Sequence, residues 1–279
     1  MRRLIIALIS LISIGLIGYL LIPLNPKVKS IDYSEALNAI PPKASFIIRS
    51  ENVLEKWKVW SKSTIAQSLN RIESYKTLQT IFSKFDSTQN EVIKSFFNQK
   101  VFIAGVLTAG NQLNQLIAMK DGGLTVKQVK SFIESVFDSG LMSSKEYESH
   151  MIDSYSFDGK KLSFTHIGNI FLFSTSSVLI EEGIRELLAD SHLPDNFGFK
   201  KLLKTADINS DCNLFVNFRQ FGGFLNLYGN KKIDFSKSFN KYGDWAELDL
   251  NSRDKSCMLN GFSFIADSTS NYLNSFSGE

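Results

Sequence analysis

Ser238-Phe239-Asn240-Lys241 is the stretch whose residue types and spacing come nearest to covalent chemistry. An S-x-x-K pattern on a helix sets a lysine amine one turn from a serine hydroxyl, close enough to take its proton and make it a nucleophile. In penicillin-recognising enzymes this pair works with a K-T-G and an S-D-N, and Lys204-Thr205-Ala206 imitates the first of these. The order of the two elements is reversed here, no S-D-N occurs, and Tyr242-Gly243 follows Lys241 at once, a poor setting for a rigid helix. Patterns this loose arise by chance in a chain rich in Ser and Lys. No G-x-S-x-G elbow, P-loop or G-x-G-x-x-G is present, so lipase, nucleotide and dinucleotide chemistry have no motif to rest on. No catalytic residue is assigned.

Metal chemistry fares no better, because His150, His166 and His192 lack the spacing of any ligand motif. Glu146, Glu148 and His150 alternate and would share one strand face, but with no second His or Cys within loop distance a solvated strand edge is the simpler reading. Cys212 and Cys257 are the only cysteines, too few for a four-cysteine zinc site. One disulfide or two buried thiols are the alternatives. No cofactor is expected. The aromatic pairs Trp57 with Trp60, Phe96 with Phe97, and Phe221 with Phe224 could stack a glycan or peptide, although their helical spacing points first to core packing.

The elements that would hold these residues follow from periodicity. Ala44 to Ser50 has the apolar centre of a short strand, and Glu51 to Asn98 switches to apolar recurrence at three and four residues, predicting amphipathic helices. Lys100 to Thr108 is apolar on both faces, as a central strand covered on two sides would be. Gln115 to Lys120 is a second strand, and Thr125 opens a helix. Strand-like runs at Tyr147 to Phe157, Lys161 to His166 and Asn169 to Ser174 precede a helix capped by Ser176 or Ser177. A short helix at Lys200 to Lys204 comes before strands at Cys212 to Phe218, Trp245 to Leu250 and Cys257 to Ile265. Asn251 to Lys255 is expected as the last hairpin loop. Trp245 to Leu250 alternates polar and apolar, predicting one wet face.

Ahead of all this lies Leu4 to Ile22, nineteen residues without a charge. As a helix it would be ~28 Å long, close to the roughly 30 Å hydrocarbon thickness of a bilayer. A cleaved secretory signal is the competing reading. The length of the run and the bulky Tyr19 to Leu24 that ends it, with no small-residue cleavage site, favour an uncleaved anchor. Only three residues precede the span, so the N-terminus is expected in the cytoplasm and the main domain outside it. Without Arg2 and Arg3 the chain carries 29 basic against 28 acidic residues, which leaves no basic footprint for nucleic acid.

These features together resemble a family of bacterial envelope proteins known as domain of unknown function 3352. The resemblance rests on the anchor, on Ile40-Pro41-Pro42-Lys43-Ala44 leading to a first strand, and on the Trp57 and Trp60 helix. It continues through the Lys100 to Leu107 strand, the Phe171 to Ser176 strand running into a helix, and Trp245-Ala246-Glu247-Leu248-Asp249-Leu250 followed by Leu259-Asn260-Gly261-Phe262. It covers most of the chain through diffuse patterns. It implies a membrane-tethered extracytoplasmic domain, with no activity and no catalytic residues to carry over. Members tend to continue beyond the position of Phe262 to Phe264.

The expected class is therefore α+β: an N-terminal transmembrane helix, then a largely antiparallel sheet with helices packed on one face. The expected organisation is a signal anchor at 1–26, a juxtamembrane connector at 27–43, an extracytoplasmic domain at 44–266 and, at 267–279, a polar tail or the start of a continuation. The partners expected are the lipid bilayer through Leu4 to Ile22 and an unidentified envelope protein. A motif-free envelope hydrolase and a glycan or lipid binder are the rival readings, and an apolar pocket would favour the last.

Overall fold

The computed structural model describes residues 35–71, 73–87, 94, 96–109, 112–137, 141–157, 160–228, 239, 241–253 and 256–265. The expected span Leu4 to Ile22 lies outside them, and among the described residues no helix is long and apolar enough to cross a membrane.

One sheet of ten strands organises the domain. Its strands are β1 Phe46–Ser50, β2 Val101–Thr108, β3 Gln112–Lys120, β4 Leu141–Tyr147, β5 His150–Phe157, β6 Lys160–Ile167, β7 Ile170–Ser174, β8 Cys212–Asn217, β9 Trp245–Arg253 and β10 Ser256–Phe264. They lie in the order β10-β9-β8-β1-β2-β3-β7-β6-β5-β4, and every neighbouring pair is antiparallel. The central meander β1 to β3 is thus flanked by two others, β4 to β7 joined through β7 and β8 to β10 joined through β8.

Seven α-helices are described: α1 Val53–Trp60, α2 Thr64–Leu69, α3 Glu73–Asp86, α4 Val126–Phe137, α5 Ser177–Leu188, α6 Phe197–Thr205 and α7 Phe218–Tyr228. Their starts are written locally. Thr125 accepts from the Gln128 amide while the Gln128 side chain accepts from the Thr125 amide, a capping box at the head of α4, and Asn196 accepts from Phe199 N at α6.

The helices do not group on one face as expected. On the front face α1, α3, α4 and the Phe96–Phe97 pair pack over Val101, Ile103, Met119, Phe164, Phe171 and Phe173. On the back face a 3-10 turn at Glu35–Ala39, α5 and α6 pack over Ile47, Phe102, Ala104, Leu116, Leu172 and Phe215. The physical reason is the two-sided apolarity of β2, which needs cover on each side. The turn uses residues expected to belong to the connector: Ala36, Leu37, Ala39 and Ile40 are buried against α5 and β3.

Two hairpins also differ from expectation. Glu148 and Ser149 both take positive φ, 48° and 61°, and form a tight turn between Tyr147 of β4 and His150 of β5. The expected single run from Tyr147 to Phe157 is therefore a turn plus β5. Turns of this type usually advertise themselves as Asn-Gly or Asp-Gly, and Glu-Ser carries no such signal. At the other end β9 and β10 continue through most of the expected loop and close at Arg253 and Ser256.

Candidate functional site

A cleft of about 550 Å³ opens on the front face. Its floor is the sheet, with Phe46 and Ile48 from β1, Ile103 from β2, Cys212 from β8 and Leu250 from β9; α1 walls one side and Phe224 of α7 borders it too. Phe46 lies over Gly105 of β2, where any Cβ would strike its ring, and meets Phe224 edge-on at 5.3 Å. Glycine within a strand here makes room for an aromatic floor. Val59 borders the cleft and is 63 % exposed, marking the mouth.

The burial pattern of the strands under the cleft reverses the usual one. In β1, Phe46 and Ile48 are half-buried while Ile47 and Arg49 on the other face are buried. In β9, Leu248 and Leu250 are half-buried, yet Trp245 and Glu247 on the opposite side are buried beneath α6, where Phe199 packs 4.9 Å from Trp245. The expected wet face of β9 is thus the covered one at Glu247. Apolar side chains are left partly open to the cleft, and a carboxyl group is enclosed.

Aromatic residues line the wall. Trp57 packs 4.8 Å from Phe82 of the core and 5.6 Å from Tyr75, and with Trp60 it borders the cleft. The Tyr75 hydroxyl is enclosed beside the Trp60 indole without a well-formed hydrogen bond, and burial raises its pKa. Of the three aromatic pairs, Phe96 with Phe97 is core, 5.1 Å apart. Trp57 with Trp60 and the Phe224 member of the third pair face the cleft.

One end of the cleft is polar. Ser50 Oγ donates to the Asp211 carbonyl at 3.2 Å, Lys56 Nζ donates to the Ser210 carbonyl at 3.2 Å, and Asp211 Oδ2 accepts from Ser252 N at 2.7 Å. The Lys56 bond ties α1 to the loop before β8, and the other two tie that loop to β1 and β9. These bonds also engage the Ser50 hydroxyl and the Lys56 amine with carbonyls, so neither forms a nucleophile-base pair. Burial above all pushes the Cys212 thiol up to about 12, which disfavours the thiolate that nucleophilic chemistry needs.

Both cysteines are free. Cys212 is paired with Leu250 and Cys257 with Ser252, so strand β9 lies between them. Two strand spacings amount to roughly 10 Å, beyond the roughly 4.4–6.8 Å that a disulfide spans between Cα atoms.

The back face holds a second polar group of residues. Arg49, Asn213 and Asp249 stand in register across β1, β8 and β9. Asn213 Nδ2 donates to Asp249 Oδ1 at 2.6 Å and to Ser210 Oγ at 3.0 Å, and the Asp207 amide donates to Asp249 at 2.9 Å. Burial, then the neighbouring Asp249, pushes the Glu247 carboxyl up to about 8, and burial lowers the Arg49 guanidinium. A carboxyl with that proton affinity has the make-up of a general acid, but Glu247 is fully buried and α6 covers it. Enclosure there favours its protonated form.

The sequence-level candidates are not brought together. Ser238 lies outside the described residues, while Lys241 is exposed in a turn. Lys204 and Thr205 end α6, and Thr205 Oγ1 donates to Glu247 at 3.4 Å. Glu146 is on β4, Glu148 in the turn and His150 on β5, so the imagined shared face is broken up, and no group of ligands that could hold a metal occurs among the described residues. His166 faces Asp121 at 3.3 Å and His192 Nδ1 lies 2.9 Å from the Glu186 carbonyl, both as local bracing. The cleft itself had two traces in the sequence, the Trp57 and Trp60 pair and the Phe224 member of the Phe221 and Phe224 pair. Comparison with family models, curated proteins and solved structures finds no match for this chain.

Proposed function

We propose that this is a membrane-tethered, non-catalytic binding protein of the bacterial envelope whose α+β domain takes the apolar chain of a single-chain amphiphile into the front cleft. The observation that carries the reading is the partly open apolar floor formed by Phe46, Ile48 and Leu250 beneath an aromatic wall. Leaving such side chains unfilled costs about 25 cal/mol per Å² of apolar surface, a cost that a bound chain removes. The volume also falls in the range of ligand sites, roughly 300–1,000 Å³. In this reading the chain lies along the floor, and the head group sits at the Ser50, Lys56 and Asp211 end. Leu4 to Ile22 holds the domain at the bilayer that supplies the ligand, with the N-terminus in the cytoplasm, as the resemblance to the envelope family implies.

A protein partner remains the second reading, favoured by the exposed apolar edge of the sheet at Met258, Leu259 and Phe262. Extraction and mass spectrometry of lipid co-purifying with the full chain separates the two. About one amphiphile per chain, lost in a Leu250→Asp variant that remains folded, is the expected result. Equal, trace amounts in both proteins would refute the reading.

A further inference from the structure

The two edges of the sheet are built differently. β4 is guarded: its register slips between Leu141 and Ser143, it carries Lys145 and Glu146, and Lys145 is paired with Glu181 of α5. Bulges and charges on an edge strand block pairing with another chain. β10 has none of these guards. Its nine residues, Ser256-Cys257-Met258-Leu259-Asn260-Gly261-Phe262-Ser263-Phe264, include no charge and no proline, and they pair with β9 without a register shift. Met258 is 49 % exposed, Leu259 49 % and Phe262 59 %.

We infer that β10 is a homodimer interface, at which two copies of the chain join their sheets by antiparallel pairing about Asn260. The strand is its own complement in that register. A two-fold axis at Asn260 sets Met258 opposite Phe262 of the second copy, a thioether against an aromatic ring. It sets Leu259 opposite Gly261 of the second copy. Position 261 admits no side chain, since a Cβ there would strike the Glu247 carbonyl oxygen, and this leaves room for the leucine. No like charges meet anywhere along the strand. A head-to-tail union of β10 with β4 would bring the neutral strand against a bulge and charged residues, so the two-fold arrangement is preferred over an open filament. This inference is independent of what the cleft binds.

The register makes a covalent test specific. Cys257 of one copy would stand opposite Ser263 of the other, whereas the two native Cys257 residues would be about 20 Å apart, six residues along the strand. The full chain with Ser263→Cys, held in detergent micelles and mildly oxidised, is expected to give a covalent dimer in which Cys257 is joined to the thiol introduced at position 263. The native chain under the same treatment should give none. Adding Met258→Lys and Phe262→Lys, at positions exposed enough to spare the fold, should abolish both the crosslink and the dimer mass seen by light scattering. A Ser263→Cys chain that stays monomeric and uncrosslinked would overturn the inference, as would a dimer that persists with both lysines present.

Discussion

Trp57 packs at a tilt 4.8 Å from Phe82 in the core, and the same indole borders the cleft. Core and platform, treated as alternatives in the sequence, are here two sides of one ring. Helix α1 is thereby fixed to the domain by the residues that also shape the wall.

This separates two tryptophan substitutions. Trp57→Ala removes core packing and should cost roughly 3 kcal/mol of stability, the low end for such truncations because the ring is only partly buried. Trp60→Ala has less core contact to lose and should weaken uptake of a fluorescent fatty-acid probe while leaving the urea midpoint nearly unchanged. Equal loss of stability in both variants would contradict the assignment.

The buried Glu247 gives a pH dependence with a definite sign. The folded chain keeps a proton, with a carboxyl pKa of about 8, that the unfolded chain releases near 4.5. The stabilisation is complete below that lower value, declines by up to about 1.4 kcal/mol per pH unit above it, and is lost by the upper one. Urea midpoints measured across this window should fall as pH rises, and Glu247→Gln should flatten that dependence. A Glu247→Gln chain with the parental slope would assign the effect elsewhere.

Much of the strand content was legible. Runs such as Ala44 to Ser50 and Lys100 to Thr108 show apolar centres between turn residues, and the structure places β1 and β2 within a residue or two of them. The helices cover both faces because β2 is apolar on both sides, whereas the alternation of β9 taken alone points to a single covered face. That alternation was itself deceptive: a polar-apolar period of two says which residues share a face but not which face is covered. Covering Glu247 needs α6, a helix that joins from a distant part of the chain, and opening Leu250 needs a gap between helices. Neither is a property of the strand. The Glu148-Ser149 turn was hidden for a local reason, as its backbone demands residues that the sequence does not supply.

The thiols supply a further check. Cys212 and Cys257 lie on one face with β9 between them, so tryptic maps prepared with and without reductant should be identical. Burial raises both thiols, Cys212 most, so the native chain should be alkylated at Cys212 at least about tenfold more slowly at pH 8 than the urea-unfolded chain. A Cys212–Cys257 peptide would refute the register of β8 to β10.

The most direct test of the cleft uses the protein's own fluorescence. Trp57 and Trp60 border it, whereas Trp245 is buried on the opposite face of the sheet against Phe199. Titration with a bromine-labelled fatty acid should quench the first two and spare the third, saturating near one ligand per chain, and Trp57→Phe with Trp60→Phe should leave an emission that the ligand does not touch. Quenching that is absent, or that persists undiminished when Trp245 alone remains, would contradict the account.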